Sequence, residues 1–433
     1  MSRVSHLIMS LAPALTWPAV AHSEWDLVPE IWIGAETNDN PTLLIADPTT
    51  PELDAVDDDP ASRILAEVRL RADGVFPRGD FFIEPSVFTD AYAEGSSEFQ
   101  STDARLRSGG EHRGERAAVG FSADLASESI LGTEFLDAQP IDIDAEEPPA
   151  VDTVLLGRNE RRTLAVLSPY TAVELSERGA LRFDGQLMDV GYEADTITAR
   201  TDFSAATLGA AYLRRLSAGN TLTTRLYGSR YDVEADQADT ITRGIEMVFS
   251  HEVTDVWSTS IAWGVARSEF TNVDALGNAV DGEADNPTFA LNVRRRSERS
   301  SVNFDLGRGV EPDSFGFPAV RDELRVAWLR QMSQKVRGGM AIRVIESADI
   351  GDVLGADQRY GWVDLDLDWA FGELWSLVLG YEYAYRAIDT LEEDARSNSV
   401  SVGFNYRGRS QRSAIRTATE AAAETVRPTA PQQ

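Results

Sequence analysis

Val363-Asp364-Leu365-Asp366-Leu367-Asp368-Trp369 decides how this chain is read. At the two-residue period of an extended strand, Val363, Leu365, Leu367 and Trp369 share one face. The three aspartates share the other. A single such segment fits a sandwich whose apolar face meets a core. Here the scheme recurs along the chain with no helical stretch between. Leu377, Leu379, Tyr381, Tyr383 and Tyr385 alternate with Gly380, Glu382, Ala384 and Arg386, and Val400, Val402, Phe404 and Tyr406 with Ser401, Gly403 and Asn405. Upstream, Leu324-Val326-Trp328, Val302-Phe304-Leu306, Phe289-Leu291-Val293 and Ile245-Met247-Phe249 repeat it. The second face is built from Gly, Ser, Arg, Asp and Glu. A sheet closed on itself, apolar outside and polar inside, accounts for both faces at once.

The spacing of breaks agrees. Short turns fall at 177–179, 217–220, 254–255, 297–299, 333–335 and 371–373. Longer connections fall near 193–200, 234–239, 272–286, 309–320, 347–358 and 388–396. Short turns on one side and long loops on the other are the asymmetry of outer-membrane barrels. Aromatic residues near strand ends (Trp257, Trp362, Trp369, Phe371, Trp375, Tyr381, Tyr383 and Tyr385) read as interfacial rings. The fold predicted is all-β: an antiparallel up-and-down transmembrane β-barrel of about 18 strands, with short periplasmic turns and longer extracellular loops. The regular hairpins occupy 161–407. The stretch 22–160 is less regular, with strands expected at 30–37, 62–72, 80–92, 116–126 and 129–138 and acidic loops at 38–61, 93–115 and 139–160. Sixteen strands result if the first segments form a plug.

Residues 1–21 have the makings of a secretory signal peptide: Arg3, a short apolar run from Leu7 to Thr16, and Ala19-Val20-Ala21 for cleavage. Export follows, which in a Gram-negative cell means periplasm, outer membrane or medium, and the barrel pattern points to the outer membrane. Residues 408–433 read as a tail, partly helical or disordered, rich in Ala, Thr and Glu and ending in Pro431 and two glutamines.

Composition narrows the chemistry. There is no cysteine, so disulfides, thiolate metal sites and thiol nucleophiles are excluded. The net charge of −31 makes nucleic acid an unsuitable partner. Mean hydropathy is −0.26, which a barrel with one polar face shares with soluble proteins. His22, His112 and His251 lie far apart in sequence with no nucleophile pattern around them, and no cofactor or metal motif is present. An enzyme is therefore not expected, and no cofactor is.

The candidate functional residues are those predicted to line the lumen: Arg182, Asp184, Arg225, Arg325, Arg343, Asp364, Asp366, Asp368, Glu382 and Arg386. Charges on a pore wall set ion selectivity. Asp364, Asp366 and Asp368 are expected to be balanced by Arg325, Arg343 or Arg386.

Four further stretches carry a resemblance: Trp32 to Asn40, Ser127 to Glu134, Arg161 to Pro169, and the strand–turn–strand units around Leu175-Ser176 and Leu216-Ser217. In these the chain resembles the outer-membrane β-barrel proteins of proteobacterial exopolysaccharide and exosortase gene clusters, the β-barrel porin 2 type. That resemblance implies an outer-membrane channel, either a passive porin or an exit channel for a cell-surface polysaccharide. The partners it implies are outer-membrane lipids, the barrel-assembly machinery, and polysaccharide or its export components. The alternative is a surface-exposed structural or adhesion barrel with no transport role. The tail beyond Tyr406 departs from the usual aromatic chain end.

Overall fold

The computed structural model describes residues 24–40, 61–92, 100–129, 161–193, 202–233, 238–273, 279–312, 318–349, 357–389 and 394–408. Every regular element among them is a strand. The first six are β1 (Glu24–Asn38), β2 (Ala61–Phe76), β3 (Gly79–Tyr92), β4 (Thr102–Arg113), β5 (Ala117–Ser129) and β6 (Arg161–Ser176). Then come β7 (Gly179–Tyr192), β8 (Phe203–Ser217), β9 (Asn220–Val233), β10 (Ala238–Thr254), β11 (Trp257–Val273) and β12 (Ala279–Ser297). The last six are β13 (Ser300–Pro312), β14 (Pro318–Gln331), β15 (Val336–Asp349), β16 (Gln358–Ala370), β17 (Trp375–Ile388) and β18 (Ala395–Arg407).

Each strand pairs antiparallel with its sequence neighbours, and β1 pairs with β18, so the 18-stranded sheet closes. Closure runs from Glu30 opposite Arg407 to Asn38 opposite Ser399. It matters because a spanning sheet has no water to satisfy its edges, and only closure removes them. Gly408 N–H donates to the Pro29 carbonyl at 2.7 Å, tying the last described residue to the first strand.

Directly paired residues share a face, so the register fixes which way each side chain points. Leu365 is 42% exposed, while Asp364 and Asp366 are 3% and 8% exposed. The same alternation runs round the barrel. Ile33, Ile64, Val87, Leu125, Leu208, Leu226, Ile261 and Leu379 form part of an outward apolar belt. Water would never tolerate so much exposed hydrocarbon on one surface; lipid tails do. At the tight-turn end the belt finishes in rings. Trp369 meets Phe371 edge-on, with centroids 6.3 Å apart, and Phe371 meets Phe404 at the same distance.

Prolines sit where the ladder tolerates them. Pro85 and Pro169 point outward, and the pairing of β2 with β3 and of β6 with β7 skips them. Glycine serves close approach on the inner wall. At Gly244 a Cβ would come within 2.3 Å of the Tyr227 ring on the adjacent strand, and at Gly120 within 2.5 Å of Tyr170. Each ring lies flat over the bare backbone opposite it, the way aromatic residues cover glycine in sheets.

Three loop expectations need correction. The stretch 93–115 contains β4, not one continuous loop. Its outward residues Thr102, Ala104, Ser108, Gly110 and His112 include no bulky apolar side chain beside Leu106, which hid the strand. The strand expected at 129–138 lies outside the described residues from 130 onward, as do residues 1–23 and 409–433. The pattern predicts long connections at 272–286 and 309–320, but β11 and β12 stay paired up to Val273 opposite Ala279 and β13 and β14 up to Pro312 opposite Pro318. On β12 the outward positions there are Asp281, Glu283 and Asp285, and on β13 and β14 Arg308 and Asp322 interrupt the apolar series before Val310 and Val320, so the belt pattern breaks while the strands go on.

The two faces predict unequal responses to one substitution. Leu365→Arg on the belt should cost roughly 2–4 kcal/mol of folding free energy in bilayers, and Ser260→Arg on the inner face about 1 kcal/mol or less. Urea unfolding in lipid vesicles measures both.

Candidate functional site

The inner wall gathers chemistry-bearing side chains from strand after strand. All ten residues singled out in the sequence occupy inward register positions. Asp364 stands opposite Glu382, Arg325 opposite Arg343, and Arg386 opposite Tyr360. Arg225 donates to Asp184 at 2.5 Å, and Arg182 lies over the Tyr170 ring at 4.8 Å. Arg343 donates to Glu323 at 2.8 Å, and Asp368 accepts from Arg337 at 3.2 Å. Asp368 thus takes Arg337, one strand away on β15, in place of the expected Arg325, Arg343 or Arg386. Asp364 and Glu382 also line one cleft with Glu36, Ser399 and Ser401.

A second set went unmarked in the sequence. On β1–β3, Arg63 donates to Glu36 at 2.8 Å and lies 3.6 Å from Asp90. The three side chains are 6%, 3% and 2% exposed. Arg69 donates to Glu67 at 3.0 Å, and Arg71 to Glu84 at 3.3 Å. Further round, Arg105 donates to Asp124 at 2.5 Å and Arg162 to Glu128. The signal was present as Arg63, Glu67, Arg69, Arg71 and Asp73 at period two. Its contrast is weaker than on β16, because the outward residues between them alternate Ile64, Val68 and Leu70 with the small Ala66 and Ala72.

Charge is unevenly distributed round the wall. On β16–β18 and β1–β3 the inward acids are Asp364, Asp366, Asp368 and Glu382, then Asp26, Glu30, Glu36, Glu67, Asp73, Asp80, Glu84 and Asp90. Against them stand Arg63, Arg69, Arg71, Arg386 and Arg407. On β12–β15, among the described side chains, six arginines (Arg294, Arg296, Arg321, Arg325, Arg337, Arg343) face two acids, Asp305 and Glu323. One arc of the wall is acidic and the arc beside it basic.

The wall is not polar throughout, which corrects the expectation of a uniformly wet inner face. At the loop end of β6–β9, Leu164, Val166, Met188, Val190, Phe203 and Val233 point inward and are buried. They belong to one apolar cluster with Ala384 and Ala395, against which Tyr360 and Trp362 pack. Trp362, expected at the membrane interface, therefore faces inward, opposite Arg343.

The two described histidines do not join the wall, and His22 lies outside the described residues. His112 points outward between Gly79 and Val119 in register. His251 points outward, its Nδ1 2.7 Å from Asn220 Oδ1. Among the described residues no group of three His, Asp or Glu side chains has metal-binding geometry.

Comparison by sequence matches no family profile and no curated protein. Solved structures do resemble the chain. OccK9 (OpdG) of Pseudomonas aeruginosa is 11% identical with a TM-score of 0.46, covering 89% of this chain and 99% of its own. OccAB3 of Acinetobacter baumannii is 12% identical with a TM-score of 0.44, covering 89% and 100%. The outer-membrane channel DcaP of Acinetobacter baumannii is 14% identical with a TM-score of 0.42, covering 90% and 99%. The architecture rests on the strand pairing of this chain itself.

The buried and exposed ion pairs should behave differently. Arg63→Ala leaves Glu36 and Asp90 buried without their guanidinium and should cost roughly 3–5 kcal/mol. Arg71→Ala, at a half-exposed pair, should cost about 1 kcal/mol or less. Unfolding in vesicles reads both, and equal costs would contradict the burial described.

Proposed function

We propose that the protein is a channel of the outer membrane, passing small hydrophilic solutes through a charged interior. The observation that carries this reading is the pairing of faces: an apolar belt outside a closed barrel and charged residues of both signs inside. An anchor needs the belt alone. Charged residues facing inward on most of the strands fit a wall that meets water and ions.

The finer assignment is export of a cell-surface polysaccharide, with the export components as partners. Its support is the resemblance noted in the sequence, together with tyrosines and arginines side by side on the inner wall, such as Tyr170 with Arg182 and Tyr227 with Arg225. Rings of this kind pack on sugar faces while guanidinium groups bind hydroxyls and carboxylates.

One observation favours a second reading. Val190 and Val233 are each 1% exposed on the inner face, so part of the interior is packed rather than wet. A barrel packed in this way fits a surface-exposed structural or adhesion protein held by a closed anchor.

Planar-bilayer recording separates the two. The channel reading expects a steady conductance with cations preferred over anions, because inward acids outnumber arginines on the acidic arc. Replacing Asp364, Asp366 and Asp368 together with Asn should lower the cation-to-anion permeability ratio about threefold, since each charge contributes under about 1 kcal/mol in water. A folded barrel that stays silent in every salt and at every voltage favours the anchor.

A further inference from the structure

Beyond the belt, the outward face of β9–β16 changes character abruptly. The outward residue following Val265 is Arg267, and that following Leu306 is Arg308. Ile245 is followed by Arg243, Leu324 by Asp322 and Val344 by Glu346. These charges pair across strands: Arg243 with Glu269 at 3.0 Å, Arg230 with Asp239 at 2.8 Å, Arg359 with Glu346 at 3.4 Å, and Arg267 with Glu283.

The opposite side of the barrel does otherwise. At the same point on β2–β6 the outward residues are Ser62, Thr89, Thr102, Ser127 and Thr163, with one arginine, Arg161, whose guanidinium is held by the Ser127 hydroxyl and the Thr102 carbonyl. Contact with water is thus met by hydroxyl groups on one side. Solvation alone does not account for arginines and carboxylates on the other. The charged pairs are exposed, Arg243 at 65% and Arg267 at 51%, so they sit in a high dielectric and exchange partners at little cost. On β11 and β12 the polar surface is also tall, whereas beyond Arg243, Arg308 and Asp322 the next outward residues are Ile241, Val310 and Val320. Above Arg267 come Glu269 and then Thr271, whose hydroxyl donates to Asp281 at 2.8 Å. Strands β10 to β12 are the longest of the sheet, at 17, 17 and 19 residues.

We propose that this face of β9–β16 binds a phosphorylated glycolipid of the leaflet on the loop side. Acyl chains lie against the belt. Head-group phosphates accept hydrogen bonds from Arg243, Arg267 and Arg308, the strongest kind of contact a guanidinium makes. The sugars lie against the higher polar rungs. Asp322 and Glu346 reach the phosphates through divalent cations, which take oxygen ligands from both. The hydroxyl rim of β2–β6, whose one arginine, Arg161, is already engaged by Ser127 and Thr102, binds no such lipid. The inference rests on the barrel spanning a membrane, but not on its conducting.

The test uses the full chain in phosphatidylcholine vesicles, with and without a bisphosphorylated lipid A as probe and magnesium present. Insertion into phosphatidylcholine alone checks the membrane reading first; failure there overturns that reading, not a lipid preference. The glycolipid should then raise the unfolding temperature of the inserted barrel. Replacing Arg243, Arg267 and Arg308 together with Gln should weaken its binding about a hundredfold, at ~1 kcal/mol per arginine near a charged lipid surface, while leaving unfolding in phosphatidylcholine unchanged. Replacing Thr89, Thr102 and Ser127 together with Ala should leave binding intact. The proposal is overturned if lipid A gives no shift, if the arginine variant keeps the shift, or if phosphatidylglycerol reproduces it in full.

Discussion

The hydrogen bonds between β1 and β18 are the constraint on which the rest depends. In hydrocarbon an unpaired backbone amide or carbonyl costs several kcal/mol, and a strand edge presents a row of them. Closing the sheet from Glu30 to Asn38 removes that row. Once closed, every strand must show one face to lipid and one to the interior, and period two follows. Val363, Leu365 and Leu367 lie outside because Asp364 and Asp366 cannot. Pro85 and Pro169 are admitted at positions the ladder skips, and Tyr170 and Tyr227 cover the glycines that a closed wall of side chains would otherwise leave bare.

The interior carries a different problem. Guanidinium and carboxylate groups brought inward must be solvated by water or by each other. Where exposure is low the structure answers with close pairs, as at Arg63 between Glu36 and Asp90. Such pairs gain little over an apolar core of equal volume, but leaving one partner alone is costly. Their position on β1–β3, beside the closing seam, ties the register of the first and last strands to charge pairing as well as to hydrogen bonds. The loop end of β6–β9 takes the other course and buries hydrocarbon instead. The inner wall thus joins a paired acidic arc, a basic arc and an apolar patch, and each has its own consequence for what enters.

Most of the architecture was legible because the period-two signal is strong wherever outward residues are large. From β6 onward it located every hairpin. It failed at β4, whose outward side is Thr, Ala, Ser and Gly around Leu106, since small residues blur the contrast between faces. It also failed beyond Val265 and Leu306, where strands continue past the belt with charge outside. Inward orientation of Arg182, Arg225 and the aspartates could be read from parity alone. Pairing could not, because which acid meets which arginine depends on inter-strand register, and sequence leaves that open by two residues either way. Arg337 with Asp368 and Arg343 with Glu323 are cases of that kind. The burial of Trp362 likewise needed the strand opposite.

The chain has no cysteine, so single thiols can be placed without background. The most direct measurement puts one nitroxide at a time on residues 363 to 369, through Val363→Cys to Trp369→Cys, in vesicles carrying lipid-soluble or water-soluble relaxation agents. The account predicts strict alternation: contact with the lipid-soluble agent at 363, 365, 367 and 369, and none at 364, 366 and 368. Lipid contact without alternation, or contact at the aspartate positions, would contradict a barrel with its charged face inward.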